Sequence, residues 1–198
     1  MSKRKHRKIK RKSVSARVSR EAAGRPTTLY WAYGSNLNHR QMRWRCPAAR
    51  PFGPLYLKQG LLTFRYFADV EATESVEDVI AGGLWRITPA CERTLDRYEG
   101  VEGGHYEKRY LLLEVDGVPH KCLYYRMLQP GVMPPHKNYL EGIRQGYKDF
   151  KLDTRLLDEA VARGWKDKDK SPEVMRRWHR HGRKKLARIA DVTGQTVN

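Results

Sequence analysis

The order of segments predicts an α+β domain with a mostly antiparallel or mixed sheet, curled into a barrel. Three observations carry that expectation. Strand-like runs fill the chain from Leu29 to Met127. Asp116-Gly117 sits between two of these runs, Tyr106–Val115 and Val118–Met127, and is a strong hairpin signal. After Pro134-Pro135 the pattern turns helical.

The elements follow in order. Residues 1–26 are a basic arm without hydrophobic periodicity, expected to be disordered when free. The domain, residues 27–165, opens on Leu29-Tyr30-Trp31-Ala32-Tyr33, whose aromatics suit a buried strand. Gly34-Ser35-Asn36 breaks it, and residues 37–45 form a short helix capped by Ser35 or Asn36. Pro47, Pro51 and Pro54 mark a loop, 55–67 one or two strands, and 68–78 a polar, acidic loop. Val79–Ile87 is a strand in which Gly82-Gly83 permits a bulge or a close backbone approach. Thr88-Pro89 starts a helix, with a Thr cap and proline at the first helical position, ending near Tyr98. Farther on, Tyr139, Ile143 and Tyr147 share one helical face. Leu156, Leu157, Ala160 and Val161 share another, behind Asp153 or Thr154 as cap. Residues 166–198 are a basic helix and tail.

The 198 residues suffice for one domain of ordinary size. The net charge of +18 is uneven: residues 1–20 hold ten Lys/Arg and no acid, whereas 21–162 hold 19 basic and 18 acidic side chains. The excess therefore sits at the ends, and the N-terminal arm is expected to contact nucleic acid or another polyanion without sequence specificity. Cys46, Cys91 and Cys122 form no C-x-x-C pair, so free thiols are expected rather than a zinc site or disulfide framework. No apolar run approaches the ~20 residues of a membrane span, and the expectation is a cytoplasmic protein. Trp178-His179-Arg180-His181 is too short and basic for a metal site, and no H-E-x-x-H or phosphate-loop pattern occurs.

Two segments carry candidate chemistry. In Tyr30-Trp31-Ala32-Tyr33-Gly34-Ser35-Asn36, a strand ends in Gly-Ser at a helix start. Unpaired N–H groups there can hold a carboxylate or a developing oxyanion. Without a ligand the same residues are simply a strand, a turn and a cap. In Leu95-Asp96-Arg97-Tyr98-Glu99-Gly100-Val101, Glu99 ends a short helix between Tyr98 and Val101. A carboxylate held against apolar neighbours suits proton shuttling near neutrality, although spacing alone equally allows a solvated acid.

Taken together, Y-x-A-Y-G-S-N-L at 30–37, G-x-L-W-x-I around Trp85 and L-D-x-x-E-G-V-x-x-G-x-Y from Leu95 to Tyr106 resemble the γ-glutamylcyclotransferase family. Pro135-His136-Lys137-Asn138-Tyr139, with Ile143 and Gly146, continues the resemblance, which spans about 28–165. It implies a small mixed β-barrel flanked by helices. It also implies cofactor-free cleavage of an L-γ-glutamyl-amino acid into 5-oxoproline and a free amino acid. Tyr30, Trp31, Ala32, Tyr33, Gly34, Ser35 and Asn36 would then cradle the glutamyl part, Glu99 would be the catalytic glutamate, and Tyr139 would touch substrate. The alternative is a catalytically silent member of the fold that binds polyanions through its tails. The basic stretch 38–46, with Trp44 between Arg43 and Arg45, departs from the usual pattern next to this cradle.

Overall fold

A computed structural model describes residues 27–115 and 118–169. The basic arm, the Asp116-Gly117 turn and the C-terminal basic segment lie outside the described residues.

The main sheet has five strands in the order β2-β5-β1-β7-β6. β1 (Thr28–Ala32) runs antiparallel to β5 (Val79–Ile87) and parallel to β7 (Val118–Met127). β2 (Arg50–Lys58) pairs outside β5, and β6 (Tyr106–Val115) outside β7. A separate two-stranded ribbon is made by β3 (Gly60–Arg65) and β4 (Phe67–Ala72). Four α-helices complete the domain: α1 (His39–Arg45), α2 (Pro89–Glu99), α3 (Lys137–Asp149) and α4 (Thr154–Lys166).

The sheet is mixed, as expected, but it does not close into a barrel. Its edge strands β2 and β6 do not meet, and the β3–β4 ribbon makes no ladder with them. Side-chain bonds tie the ribbon in instead. Asp69 on β4, only 1% exposed, accepts from the Met127 N–H of β7 and from Arg65 Nε, each at 2.9 Å. This corrects the acidic loop expected from residue 68: Phe67–Ala72 is a strand. Asp69 is buried and Glu71 half-exposed, and Arg65 pairs with both. Pro51 and Pro54 likewise lie in a strand. β2 is a sheet edge, where a residue without an N–H is tolerated, and its register shifts between Pro51 and Gly53.

Local chemistry explains the helix ends. Thr88 caps α2 by accepting from the Cys91 N–H at 3.3 Å, with Pro89 at the first position. Gly100 ends α2 in the left-handed conformation, φ 69°, and a Cβ there would lie 2.6 Å from the His105 ring. α1 is capped by Asn38, not by Ser35 or Asn36. Those two residues form a separate 3-10 turn, Ser35–Leu37, which turns the Asn36 side chain inward. The apolar faces of α3 (Tyr139, Ile143, Tyr147) and α4 (Leu157, Ala160) pack into one core with β1 and β5. Asp153 caps α4. The three cysteines are buried free thiols.

Candidate active site

The end of β1 turns sharply through Gly34, and the 3-10 turn brings Asn36 back over the C-terminus of α2. Asn36 Nδ2 donates to Glu99 Oε1 at 2.9 Å and to the Tyr30 hydroxyl at 2.8 Å. Glu99 is thus a buried carboxylate, 7% exposed, rather than the solvated helix-end acid that spacing also allowed. Leaving a charge-bearing group this far from water requires hydrogen-bond partners, and Asn36 is one of them.

A cleft opens beside this pair. Gly34, Ser35, Asn36 and Glu99 line one side, and Tyr30, Tyr33 and Tyr139 continue the wall. Ala68, Tyr106 and Tyr125 complete it. Seven of the nine residues singled out in the sequence therefore face one space. Trp31 and Ala32 do not. Side chains alternate along a strand, so Trp31 points away from Tyr30 and packs on Tyr33 and Tyr124. Ala32 is buried in the core.

The tyrosines are oriented by fixed partners. Ala68 holds two of them through its own peptide groups: its N–H donates to the Tyr139 hydroxyl at 3.1 Å, and its carbonyl accepts from the Tyr106 hydroxyl at 2.9 Å. The Tyr33 hydroxyl donates to the Tyr125 carbonyl, and the Tyr125 hydroxyl to Asp96 Oδ1 at 2.8 Å. Tyr139 and Tyr30 each accept a bond, so their own hydroxyl protons are left to point elsewhere. Burial, reinforced by the nearby Glu99 carboxylate, pushes the Tyr30 hydroxyl well above the ordinary tyrosine range. Burial likewise raises Tyr33, Tyr106 and Tyr139. These hydroxyls stay neutral hydrogen-bonding groups, and Glu99 is the one carboxyl group lining the cleft. Beside it, the 3-10 turn leaves the Ser35 and Asn36 N–H groups without a main-chain acceptor among the described residues.

Ala68, Tyr106 and Tyr125 had no role in the sequence reading. Tyr106 stood in a matched motif without an assigned function, Ala68 began the segment read as an acidic loop, and Tyr125 lies in a strand pattern that carries no chemical signal. Arg45 is a second omission: it is 5% exposed and bonds to Asn36, behind the cleft.

Comparison with known proteins agrees with this architecture. Residues 79–155 match the AIG2-like family. The γ-glutamylcyclotransferase of Mus musculus is 28% identical over 154 residues, covering 69% of this chain and 78% of the mouse protein. That of Bos taurus is 27% identical over 132 residues, covering 61% and 70%. A solved structure of a γ-glutamyl cyclotransferase superposes with a TM-score of 0.60 over 76% of this chain and 96% of its own, at 23% identity, which is a likeness of fold. With the motifs in order, the mixed sheet and the buried glutamate beside the glycine turn, these likenesses support the γ-glutamylcyclotransferase-like family.

Proposed function

We propose that this protein is a γ-glutamylcyclotransferase. It cyclises the glutamyl part of an L-γ-glutamyl-amino acid to 5-oxoproline and releases the amino acid. The observation that carries this reading is the buried Glu99 carboxylate lining the same cleft as Gly34, Ser35 and Asn36 of the turn. The mouse and bovine relatives bear the same activity in their names.

The chemistry needs little more. Glu99 takes a proton from the substrate's α-ammonium group. The freed nitrogen attacks the γ-carbonyl carbon of the same molecule and closes a five-membered ring. Both reacting groups belong to one substrate, so the cleft must fold it and exclude other conformers. The carbonyl oxygen becomes negative opposite the Ser35 and Asn36 N–H groups, with the Tyr139 hydroxyl proton available beside them. Glu99 gives its proton to the departing nitrogen as collapse breaks the carbon–nitrogen bond, then takes the extra proton left on the ring nitrogen and passes it on, so that the amino acid leaves with its ammonium group restored. No water is consumed and no cofactor takes part.

The test is incubation of purified protein with γ-glutamyl-alanine, followed by mass spectrometry for 5-oxoproline. Stoichiometric 5-oxoproline and alanine are expected; glutamate in place of 5-oxoproline would mean hydrolysis and sink the reading.

The arm is a separate matter. Residues 1–20 are proposed to bind polyanions and to be dispensable for catalysis, because every motif used above lies between 28 and 165. A chain beginning at Glu21 should keep its rate. It should lose affinity for unrelated duplexes, and log K for the full chain should fall by about 0.9 per phosphate neutralised for each tenfold rise in salt. A large drop in rate on truncation would show that the arm contributes to the domain.

A further inference from the structure

Arg45 is a buried cation with no carboxylate within ion-pair distance among the described residues. A guanidinium in that position ordinarily needs an acid partner. Here its partners are neutral. Its two terminal nitrogens donate to Asn36 Oδ1 at 2.6 Å, Gln41 Oε1 at 2.7 Å, the Tyr98 hydroxyl at 2.7 Å and, weakly, Ser35 Oγ at 3.4 Å. Its carbon also lies 3.9 Å from the Tyr98 ring centre. Trp44, beside it in the sequence, faces outward at 60% exposure. The basic stretch that looked like a rim of the cleft therefore sends one residue inward, behind the wall.

The bond to Asn36 has a consequence at Glu99. A side-chain amide has an oxygen end and a nitrogen end of almost equal size, and either could face Glu99. Arginine has donors only, so the end facing Arg45 must be the oxygen. The NH2 end is then forced toward Glu99 Oε1 and the Tyr30 hydroxyl, 2.9 and 2.8 Å away. Tyr30 must accept, and its own proton is turned away from Asn36. With the amide reversed, an oxygen would face the carboxylate, which could then meet it only by carrying a proton. A base that begins the reaction protonated cannot take one.

We infer that Arg45 is a positioning residue which, through Asn36, keeps an N–H donor on Glu99 and sets the direction of the Tyr30 hydroxyl. The inference rests on the cyclotransferase reading for its kinetic consequence, but the orientation of Asn36 is independent of any substrate. Among the described residues, the charged and titratable groups around Glu99 include Arg45 from α1, Tyr98 beside it on α2, Tyr30 from β1, and Tyr33 after it. Tyr106, Tyr125 and Tyr139 come from β6, β7 and α3. Asp69 and Asp96 each stand one tyrosine away. Arg45 is the cation among these described groups.

A double-mutant cycle tests this, using R45M, R45K, N36A and R45M/N36A in the full chain, with melting temperatures for each. R45M should lower kcat about 10- to 100-fold with KM little changed. R45K, which still offers only donors, should recover most of the rate. In the N36A background the R45M change should have little further effect. Equal losses from R45M with and without Asn36 would overturn the inference, because a merely structural arginine acts without that intermediary. An activity-free measurement guards against failure of the parent reading. The Asn36 side-chain amide signals in a nitrogen-15 spectrum should shift in R45M and hold in R45K. If wild-type protein makes no 5-oxoproline while these signals behave as stated, the cyclotransferase reading falls and the positioning stands. If the signals do not respond to R45M, the positioning falls whatever the activity.

Discussion

Tyr30 and Trp31 are neighbours on one strand, and their surroundings are built on different principles. Tyr30 meets the cleft, where its hydroxyl accepts from Asn36 at 2.8 Å and its ring stands edge-on to Tyr125. Trp31 is 1% exposed, its indole N–H has no acceptor among the described residues, and it lies against the bare backbone of Gly82. The first environment is fixed by directional bonds between groups that could each turn another way. The second is fixed by contact. A change on the Tyr30 side should therefore appear first in rate, and a change on the Trp31 side first in stability.

The sharpest way to break the comparison is Glu99→Gln. Glutamine keeps the size and can keep a bond to Asn36, but it cannot take and return a proton. The expected loss in kcat is about 10²–10⁴, with the melting temperature close to that of the parent. Near-full activity would remove Glu99 from the mechanism.

On the other side, Gly82→Ala should cost about 1–3 kcal/mol of stability. A Cβ there would stand 2.0 Å from Trp31 Nε1 and 2.7 Å from the Ala32 carbonyl oxygen, so the indole or the strand must shift. Chemical denaturation measures it. A variant as stable as the parent but slow would erase the distinction between the two sides.

Gly34→Val lies between them. Gly34 has φ −111°, so no left-handed conformation is at stake there and crowding alone matters. A Cβ would be 3.1 Å from Ala68 Cβ and 3.2 Å from the Tyr139 hydroxyl. Steady-state kinetics should show kcat/KM reduced about 10- to 100-fold, with a smaller loss of stability than Gly82→Ala. The reverse ranking would make Gly34 a structural turn residue.

The smallest effect belongs to Asp153, far from both regions. Arg155, bonded to its side chain, holds its carboxyl below the usual aspartate range. A depressed folded value means its contribution is present above the unfolded pKa and is lost as pH falls through the folded one. Melting curves of Asp153→Asn and the parent should therefore differ slightly at neutral pH and converge in acid. A gap that widens in acid would contradict the sign.

Some of this was legible because the signal is local. Thr88-Pro89 and Gly100 delimit α2 through main-chain chemistry within a few residues of each end. The strands Val79–Ile87, Tyr106–Val115 and Val118–Met127 have the bounds their alternation suggests. The helical faces of Tyr139, Ile143 and Tyr147, and of Leu157 and Ala160, are buried as their spacing requires. β4 was missed because an acidic strand reads as a loop until Arg65 and the Met127 N–H are known to be its partners. The Asn38 cap was missed because Ser35 and Asn36 are equally good caps in isolation, and only the 3-10 turn takes them out of contention.

By itself the sequence determined the Thr88 and Asp153 caps, the hairpin, the neutral centre between basic ends, and the ordered motifs that resemble the family. Each depends on residues close together along the chain or on composition. Only the tertiary structure decided that the sheet stays open, that Trp31 turns away while Tyr30 faces the cleft, and that Ala68 grips Tyr106 and Tyr139. It also placed Arg45, 54 positions before Glu99 in the chain, one amide away from it in space. The reason is physical: a strand's faces, a ribbon's docking and a buried cation's partners are chosen by which surfaces meet, and no stretch of sequence contains both surfaces at once.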